Sequence, residues 1–240
     1  MSDHKLQKSV ANNAKLIVNT DLHLKRVPVF VSDSKGRYLK AVAESKDSVH
    51  VEWFCKSGSA SIDTYNWLCR NLENLRTKYH EISLYIWTGT CDFTVKEKKF
   101  ISLRKSPNDG LESLKTYLLK IKELCSSAKV KLTFLQIPYY SIQLWNKAKG
   151  HPEPDQFKSD DKRLNTLIDA ANEFIDSLNC AVGSYSPKLN QDLVRSRKKK
   201  GQKARYSMNF NLLRDGIHPG KNLSQTWLAN IRKKIIADCA

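Results

Sequence analysis

The sequence VPVFVSDSKG at residues 27–36 joins a short apolar run to a polar turn. An uninterrupted apolar run of this length is typical of a strand that is buried on both faces of a parallel sheet. The polar residues that follow it favour turns and the first positions of helices. We therefore predict that a buried strand leads directly into a turn that carries Ser34.

Strand-sized and helix-sized patterns alternate along the rest of the chain. Besides 27–31, strands are predicted at 48–55, 82–88, 130–137 and 180–185, and helices with one apolar face at 61–79, 111–126, 161–178 and 222–236. Because an alternation of this kind requires right-handed crossovers, it predicts the α/β fold class with a parallel sheet covered by helices on both faces.

The composition excludes several classes of protein. The chain has 240 residues, of which 40% are hydrophobic, and this is enough to form a core, so a disordered protein is excluded. No apolar run approaches the roughly 18 residues of a membrane helix, and the first residues lack the apolar segment of a signal peptide. We expect a polar extension at 1–25, a single domain at 26–240 and no membrane span.

The number and spacing of the cysteines indicate the cellular compartment in which we expect the protein. Six cysteines in 240 residues are too few for a disulfide framework, and they lack the spacing of metal ligands. We therefore expect reduced thiols in an intracellular protein, cytoplasmic or nuclear, and neither a metal nor another cofactor. No oligomeric state is predicted.

The charge is strongly positive and unevenly distributed. Lys and Arg number 41 against 24 Asp and Glu, which gives a net charge of +17, and residues 188–240 alone carry a surplus of ten. The densest run, which we expect to be a mobile basic loop at 195–205, contains Arg195, Arg197, Lys198, Lys199, Lys200, Lys203 and Arg205. Two interpretations stay open: a solvated loop that aids solubility, or a contact for RNA, DNA or another anionic surface.

Polar, turn-forming segments follow three of the predicted strands, and a fourth precedes the last helix. They lie at 32–36, 55–59, 88–92 and 215–219. Since ligands of parallel sheets bind beyond the carboxyl ends of the strands, we expect these segments to meet in one site.

The residue types in these segments match nucleophilic acyl transfer. A serine hydroxyl needs an adjacent base, and a carboxylate on the second nitrogen of a histidine fixes its tautomer. Ser34, His218 and Asp215 fit these three roles, and the backbone N–H groups of Ser34 and Gly58 are candidate oxyanion donors. Each residue alone also fits a structural role, Ser34 as a helix cap and Asp215 as a turn residue.

The four segments together resemble, in order, the conserved blocks of the SGNH (GDSL-type) hydrolase superfamily. Ser32-Asp33-Ser34 is similar to its Gly-Asp-Ser block, Gly58 to its second-block glycine, Gly89-Thr90-Cys91-Asp92 to its Gly-x-Asn-Asp block, and Asp215-Gly216-Ile217-His218 to its Asp-x-x-His block. The chain resembles in particular the SGNH-type domains encoded in some animal retroelements.

The resemblance implies a flavodoxin-like three-layer α/β/α sandwich with a five-stranded parallel sheet. It also implies a catalytic triad of Ser34, Asp215 and His218, and an oxyanion hole at Ser34, Gly58 and position 91. The chain departs from the family pattern at Ser32, where glycine is usual, and at Cys91, which replaces the asparagine that donates its amide. A thiol is a weak donor, and the loss of one oxyanion donor costs roughly 10²–10³ in rate.

Two functions follow from these observations. The first is a serine esterase that cleaves a small acyl or acetyl ester. Lys35, Lys56 and Arg214 flank the expected site, so the ester could be attached to an anionic carrier. The alternative is a weakly active or inactive SGNH-like domain that binds RNA or DNA through its basic surface.

Overall fold

This computed structural model describes Leu6 and residues 24–43, 49–197 and 205–240. The strands within these ranges are β1 Val27–Ser32, β2 Glu52–Cys55, β3 Ile82–Trp87, β4 Thr94–Glu97, β5 Phe100–Leu103, β6 Lys131–Phe134, β7 Val194–Arg197 and β8 Arg205–Met208. The α-helices there are α1 Ser34–Ala43, α2 Ser61–Tyr79, α3 Thr90–Phe93, α4 Pro107–Ser127, α5 Ile142–Ala148, α6 Lys158–Ala181 and α7 Lys221–Cys239. Short 3₁₀ helices lie at Pro154–Phe157, Leu189–Leu193 and Phe210–Leu212.

The central sheet is parallel and has the strand order β2-β1-β3-β6. Helices α1 and α7 pack together on one face, and α2, α4 and α6 pack on the other, which confirms the predicted three-layer α/β fold. In the core, the buried rings of Trp87 and Trp227 meet edge to face with centroids 5.7 Å apart and join β3 to α7.

Among the described residues the central sheet has four strands, and 180–185 is not one of them, so the predicted fifth strand is wrong. Helix α6 continues to Ala181, and Gly183 in the turn after it has a φ of +66°. Side chains take the place of a fifth strand along the outer edge of β6 and of the segment that follows it. The amide of Asn179 bonds both the N–H and the carbonyl of Phe134, and the amide of Asn172 does the same for Ile137. Since these backbone groups are already paired, the edge needs no further strand.

Two antiparallel hairpins lie outside the central sheet, β4 with β5 and β7 with β8. The second includes both ends of the predicted basic loop, because Arg197 pairs with Arg205. Both described ends of the predicted loop are therefore strand. Lys198, Lys199, Lys200 and Lys203 lie outside the described residues.

Most of the predicted N-terminal extension also lies outside the described residues. Its last residue, Lys25, donates its backbone N–H to the carbonyl of Cys239 at a distance of 2.7 Å, so the chain enters the domain beside the end of α7. Within the described ranges, every helix is too short or too polar to cross a membrane.

Candidate active site

Strand β1 leads directly into α1, and Ser34 is the first residue of that helix. The buried carboxylate of Asp33 accepts the backbone N–H of Lys35 at 2.9 Å and so holds the turn. Helix α1 starts very close to the sheet, because a Cβ atom on Gly36 would lie only 2.7 Å from Cβ of Ser32 and from Sγ of Cys55. The absence of a side chain at Gly36 thus makes room for Ser32, which stands where the resembling family usually has glycine.

A second tight turn presents Asp215 and His218 just before α7. One oxygen of the Asp215 carboxylate accepts the backbone N–H groups of Ile217 at 3.1 Å and of His218 at 2.9 Å. Gly216 has a φ of +90°, and a Cβ there would lie 2.7 Å from the backbone nitrogen of Trp145. The turn therefore requires glycine for its conformation and for its contact with α5.

The two turns bring Ser34, His218 and Asp215 into one hydrogen-bonded line. Nε2 of His218 lies 2.8 Å from Oγ of Ser34, and its Nδ1 lies 2.8 Å from Oδ2 of Asp215. Burial disfavours the charge of Asp215, but the hydrogen bonds from His218 outweigh it, so the pKa of Asp215 lies below its ordinary value. An ionised Asp215 accepts a hydrogen bond from Nδ1–H of His218, so the proton of the neutral imidazole stays on Nδ1 and Nε2 is free to accept the proton of the serine hydroxyl.

Aromatic rings hold the imidazole from its sides. The ring of Tyr38 stacks on that of His218 with centroids 4.8 Å apart, and the ring of Trp145 lies 5.7 Å away. Only 12% of the His218 side chain is exposed. Tyr38 lies one helical turn after Ser34, so helical spacing could have identified it. Trp145 reaches the site from α5, and no local pattern in the sequence places it there.

Gly58 and Cys91 lie in turns that follow β2 and β3, the two neighbours of β1. The turn of Gly58, whose φ is +75°, is tied to the end of β1 because the N–H of Lys56 donates to the carbonyl of Ser32 at 2.9 Å. Cys91 lies in α3, and burial raises the pKa of its thiol to about 11. This thiol is therefore protonated near neutral pH and lacks the thiolate form of a reactive cysteine.

The flanking basic residues differ in their exposure. Lys56 and Arg214 are exposed. Lys35 is buried instead, and its ammonium bonds the carboxylate of Asp33 and the hydroxyl of Thr90. We expected Lys35 to flank the site and to favour an anionic substrate. The structure differs from this expectation, because the charge of Lys35 is already paired inside the protein.

Arg195, the first residue of the predicted basic loop, borders a depression in the surface. A groove of about 380 Å³ lies at the start of α7 and is lined by Arg195, Lys221, Asn209, Asn211 and Asn222, among others. Arg195 is exposed on β7, whereas Lys221 follows His218 by only three residues. Two cationic side chains from separate elements, β7 and α7, thus line one groove.

No protein-family model matches the chain, and no curated protein matches it. Several solved structures are similar in fold. A GDSL-like lipase from Bacteroides thetaiotaomicron has a TM-score of 0.62 and 15% identity, over 97% of this chain and 98% of that chain. A putative acylhydrolase from Bacteroides fragilis has a TM-score of 0.57 and 14% identity, over 99% of both chains.

A third similar structure is the C-terminal domain of the Drosophila Oskar protein, with a TM-score of 0.54 and 16% identity, over 85% of this chain and 86% of that chain. These likenesses cover between 85% and 99% of this chain. The chain therefore has the fold of the SGNH-type hydrolases.

Proposed function

We propose that this protein is a serine hydrolase that cleaves a small acyl or acetyl ester with Ser34, His218 and Asp215. The observation that carries the proposal is the hydrogen-bonded line from Ser34 through His218 to Asp215, with both distances at 2.8 Å. Three residues from two distant parts of the chain meet in the order that acyl transfer requires. The similar structures include a lipase and an acylhydrolase, which supports an ester as the substrate.

The reaction proceeds in two steps. Oγ of Ser34 attacks the ester carbonyl carbon while its proton moves to Nε2 of His218, and Asp215 stabilises the resulting imidazolium. The tetrahedral intermediate then expels the alcohol, which takes the proton from Nε2, and the acyl group stays on Ser34. In the second step water attacks this acyl-enzyme with His218 as base, the acid leaves, and the proton returns to Ser34.

Two exposed cations favour an ester that is attached to an anionic carrier. Lys56 follows β2, and Arg214 precedes Asp215, so they lie on the turns that border Ser34 and His218. Both can attract a negatively charged group without competing with the buried Asp33–Lys35 pair. We expect hydrolysis of an anionic acetyl ester to weaken with added salt more than hydrolysis of a neutral one.

Covalent labelling with a fluorophosphonate probe tests the nucleophile. We expect wild-type protein to be labelled at Ser34 and Ser34→Ala to stay unlabelled. Ser32→Ala is the matched control, because Ser32 lies two residues away and its hydroxyl has no hydrogen-bond partner among the described residues. It should react at the wild-type rate. Folded wild-type protein that stays unlabelled, or Ser34→Ala protein that is labelled, would contradict the proposal.

The second candidate function is the binding of RNA or DNA. The observation that favours it is the groove lined by Arg195 and Lys221. Both residues belong to the segment 188–240, which carries a surplus of ten positive charges. The Oskar domain, unlike the lipase, is not named for a hydrolytic activity, which fits this alternative. Phosphate contacts of this kind release counterions, so affinity falls steeply with salt.

A salt series with single-stranded RNA tests this candidate. We expect the double variant Arg195→Gln/Lys221→Gln to bind more weakly at low salt and to reduce the slope of log K against log salt by about 0.7 per lost phosphate contact. Lys162→Gln/Arg163→Gln is the matched control, since it removes an exposed lysine and arginine from α6. Equal losses in both double variants, or no binding at low salt, would exclude a specific site at this groove.

A further inference from the structure

A buried charge lies directly beside the candidate nucleophile. The side chain of Lys35 is 3% exposed, and that of Asp33, its ion-pair partner, is 1% exposed. These two residues enclose Ser34 in the chain. A buried lysine is costly unless all its donors find partners, so the contacts of this ammonium define its role.

The ammonium of Lys35 joins two of the four segments of the candidate site. It bonds the carboxylate of Asp33 in the turn after β1 and the hydroxyl of Thr90 in the turn after β3. It also lies 5.3 Å from the ring centroid of Trp87 at the end of β3. Lys35 is thus a bridge between the turn that carries Ser34 and the turn that carries Cys91.

Other buried groups hold the turn of Cys91 from its remaining sides. Tyr140 is 2% exposed, and its hydroxyl donates to the carbonyl of Thr90 at 2.9 Å. The carboxylate of Asp92 accepts the backbone N–H of Ser61 at the start of α2 and the hydroxyl of the same serine. The hydroxyl of Thr90 is therefore a point at which a side chain fixes this turn relative to the turn of Ser34.

We propose that Lys35 is a positioning residue, which holds the Thr90–Cys91 turn at the correct distance from Ser34 through the hydroxyl of Thr90. This inference rests on the proposed function. Its physical reason is that oxyanion donors act only when they are held in place before the reaction, and a misplacement of about 1 Å can cost about 10²-fold in rate. Precise placement matters more here, because Cys91 supplies only a weak donor.

Thr90→Val tests the bridge without breaking the buried ion pair. Substitution of Lys35 itself would leave the Asp33 charge unpaired, whereas valine has the shape of threonine and lacks only the hydroxyl. We expect kcat for an acetyl ester, and the rate of fluorophosphonate labelling, to fall about tenfold or more, with KM within about twofold of the wild-type value. Thr90→Ser keeps a hydroxyl and should recover most of the rate.

Thr88→Val is the matched control, because Thr88 is buried in the same segment and its hydroxyl has no partner among the described residues. It should leave kcat and KM unchanged. A wild-type rate in Thr90→Val, an equal loss in Thr90→Ser, or a change confined to KM would overturn the inference. Thr90→Ala, compared with wild type by thermal unfolding, provides a second variant if Thr90→Val folds poorly.

Hydrogen exchange separates this inference from the proposed function. If the bridge holds the turn, the amides of residues 89–93 exchange several-fold faster in Thr90→Val than in Thr88→Val. This readout needs no hydrolytic activity. If wild-type protein stays unlabelled at Ser34, the proposed function fails while exchange still decides whether the bridge holds the turn. Equal exchange in the two variants would overturn the inference even in an active enzyme.

Discussion

His218 is the residue through which the parts of the candidate site are connected. Its two ring nitrogens bond Ser34 and Asp215, its backbone N–H donates to Asp215, and its ring packs between Tyr38 and Trp145. Because the contacts of the ring restrict the rotation of this side chain, the imidazole can accept a proton without first reorienting. Such preorganisation accounts for much of the effect of a catalytic base.

Cys91 is one of two residues, with Ser32, at which the site departs from the family that the chain resembles. We predict that Cys91→Asn raises kcat for an acetyl ester by about tenfold or more, because one amide donor in an oxyanion hole is worth roughly 10²–10³ in rate. The neutral thiol, whose pKa burial raises to about 11, donates only weakly. Steady-state hydrolysis at fixed pH measures the change.

Cys91→Ala separates the new amide from the removal of the thiol. We expect it to retain activity within a few-fold of wild type. If Cys91→Asn and Cys91→Ala give the same rate, position 91 does not contribute to the oxyanion hole, and backbone N–H groups alone supply the donors.

At the level of elements, α1 packs unusually closely on the ends of β1 and β2. A Cβ atom at Gly36 would lie 2.7 Å from Cβ and 2.8 Å from Oγ of Ser32, and 2.7 Å from Sγ of Cys55. Ser34 is the first residue of α1, so this close approach lies next to the candidate nucleophile in the chain. We therefore expect the effects of substitutions at Gly36 and Ser32 on stability to be coupled.

We predict that Gly36→Ala lowers the free energy of unfolding by about 1–3 kcal/mol, because a methyl group in a filled space forces the backbone to move. In Ser32→Gly/Gly36→Ala two of the three close atoms belong to a side chain that is gone, so part of the loss should be recovered. Urea unfolding of the two single variants and the double variant gives the coupling energy. Additive effects would show that the two positions do not share this space.

The outer edge of β6 shows why some elements could be predicted from the sequence and the fifth strand could not. Strands β1 and β3 and helix α2 begin at the predicted residues, since their apolar periodicity reflects burial. The segment 180–185 has strand-like composition, but the amides of Asn172 and Asn179 already occupy the edge where it would pair. Asparagines on a helix give no local sign that they will bond a distant strand.

For the whole molecule, charge is the dominant property, and most charged groups lie at the surface. Asp192 is an exception, because it is 7% exposed at the end of a short 3₁₀ helix and burial raises its pKa to about 6. Its hydrogen bond from the amide of Asn230 is long, at 3.4 Å. This carboxyl group should make the stability of the protein depend on pH in an unusual direction.

Because the pKa of Asp192 is higher in the folded state, the folded protein binds more protons than the unfolded chain between about pH 4 and pH 6. Its contribution to stability therefore decreases as pH rises through this window. We predict that Asp192→Asn raises the free energy of unfolding by about 1–3 kcal/mol at pH 7.5 and that this gain shrinks towards pH 4. Urea unfolding at several pH values measures it.

Glu123→Gln removes a negative charge from an exposed position of α4 and serves as the control. It should change stability by less than about 0.5 kcal/mol at every pH. A gain for Asp192→Asn that is independent of pH would show that Asp192 is ionised throughout and that its burial does not shift its titration.

Short-range patterns in the chain were sufficient to predict the layered α/β fold and the polar turns after the strands. They were also sufficient to identify Ser34, Asp215 and His218 as candidate site residues. Periodicity and turn chemistry act over a few residues, so they can be read locally. Contacts between distant segments decided the rest: the four-stranded sheet, the burial of Lys35, its bridge to Thr90 and the packing of Trp145 on His218. Whether a lysine faces solvent or a buried carboxylate depends on how the elements pack, because the same residue type satisfies both environments.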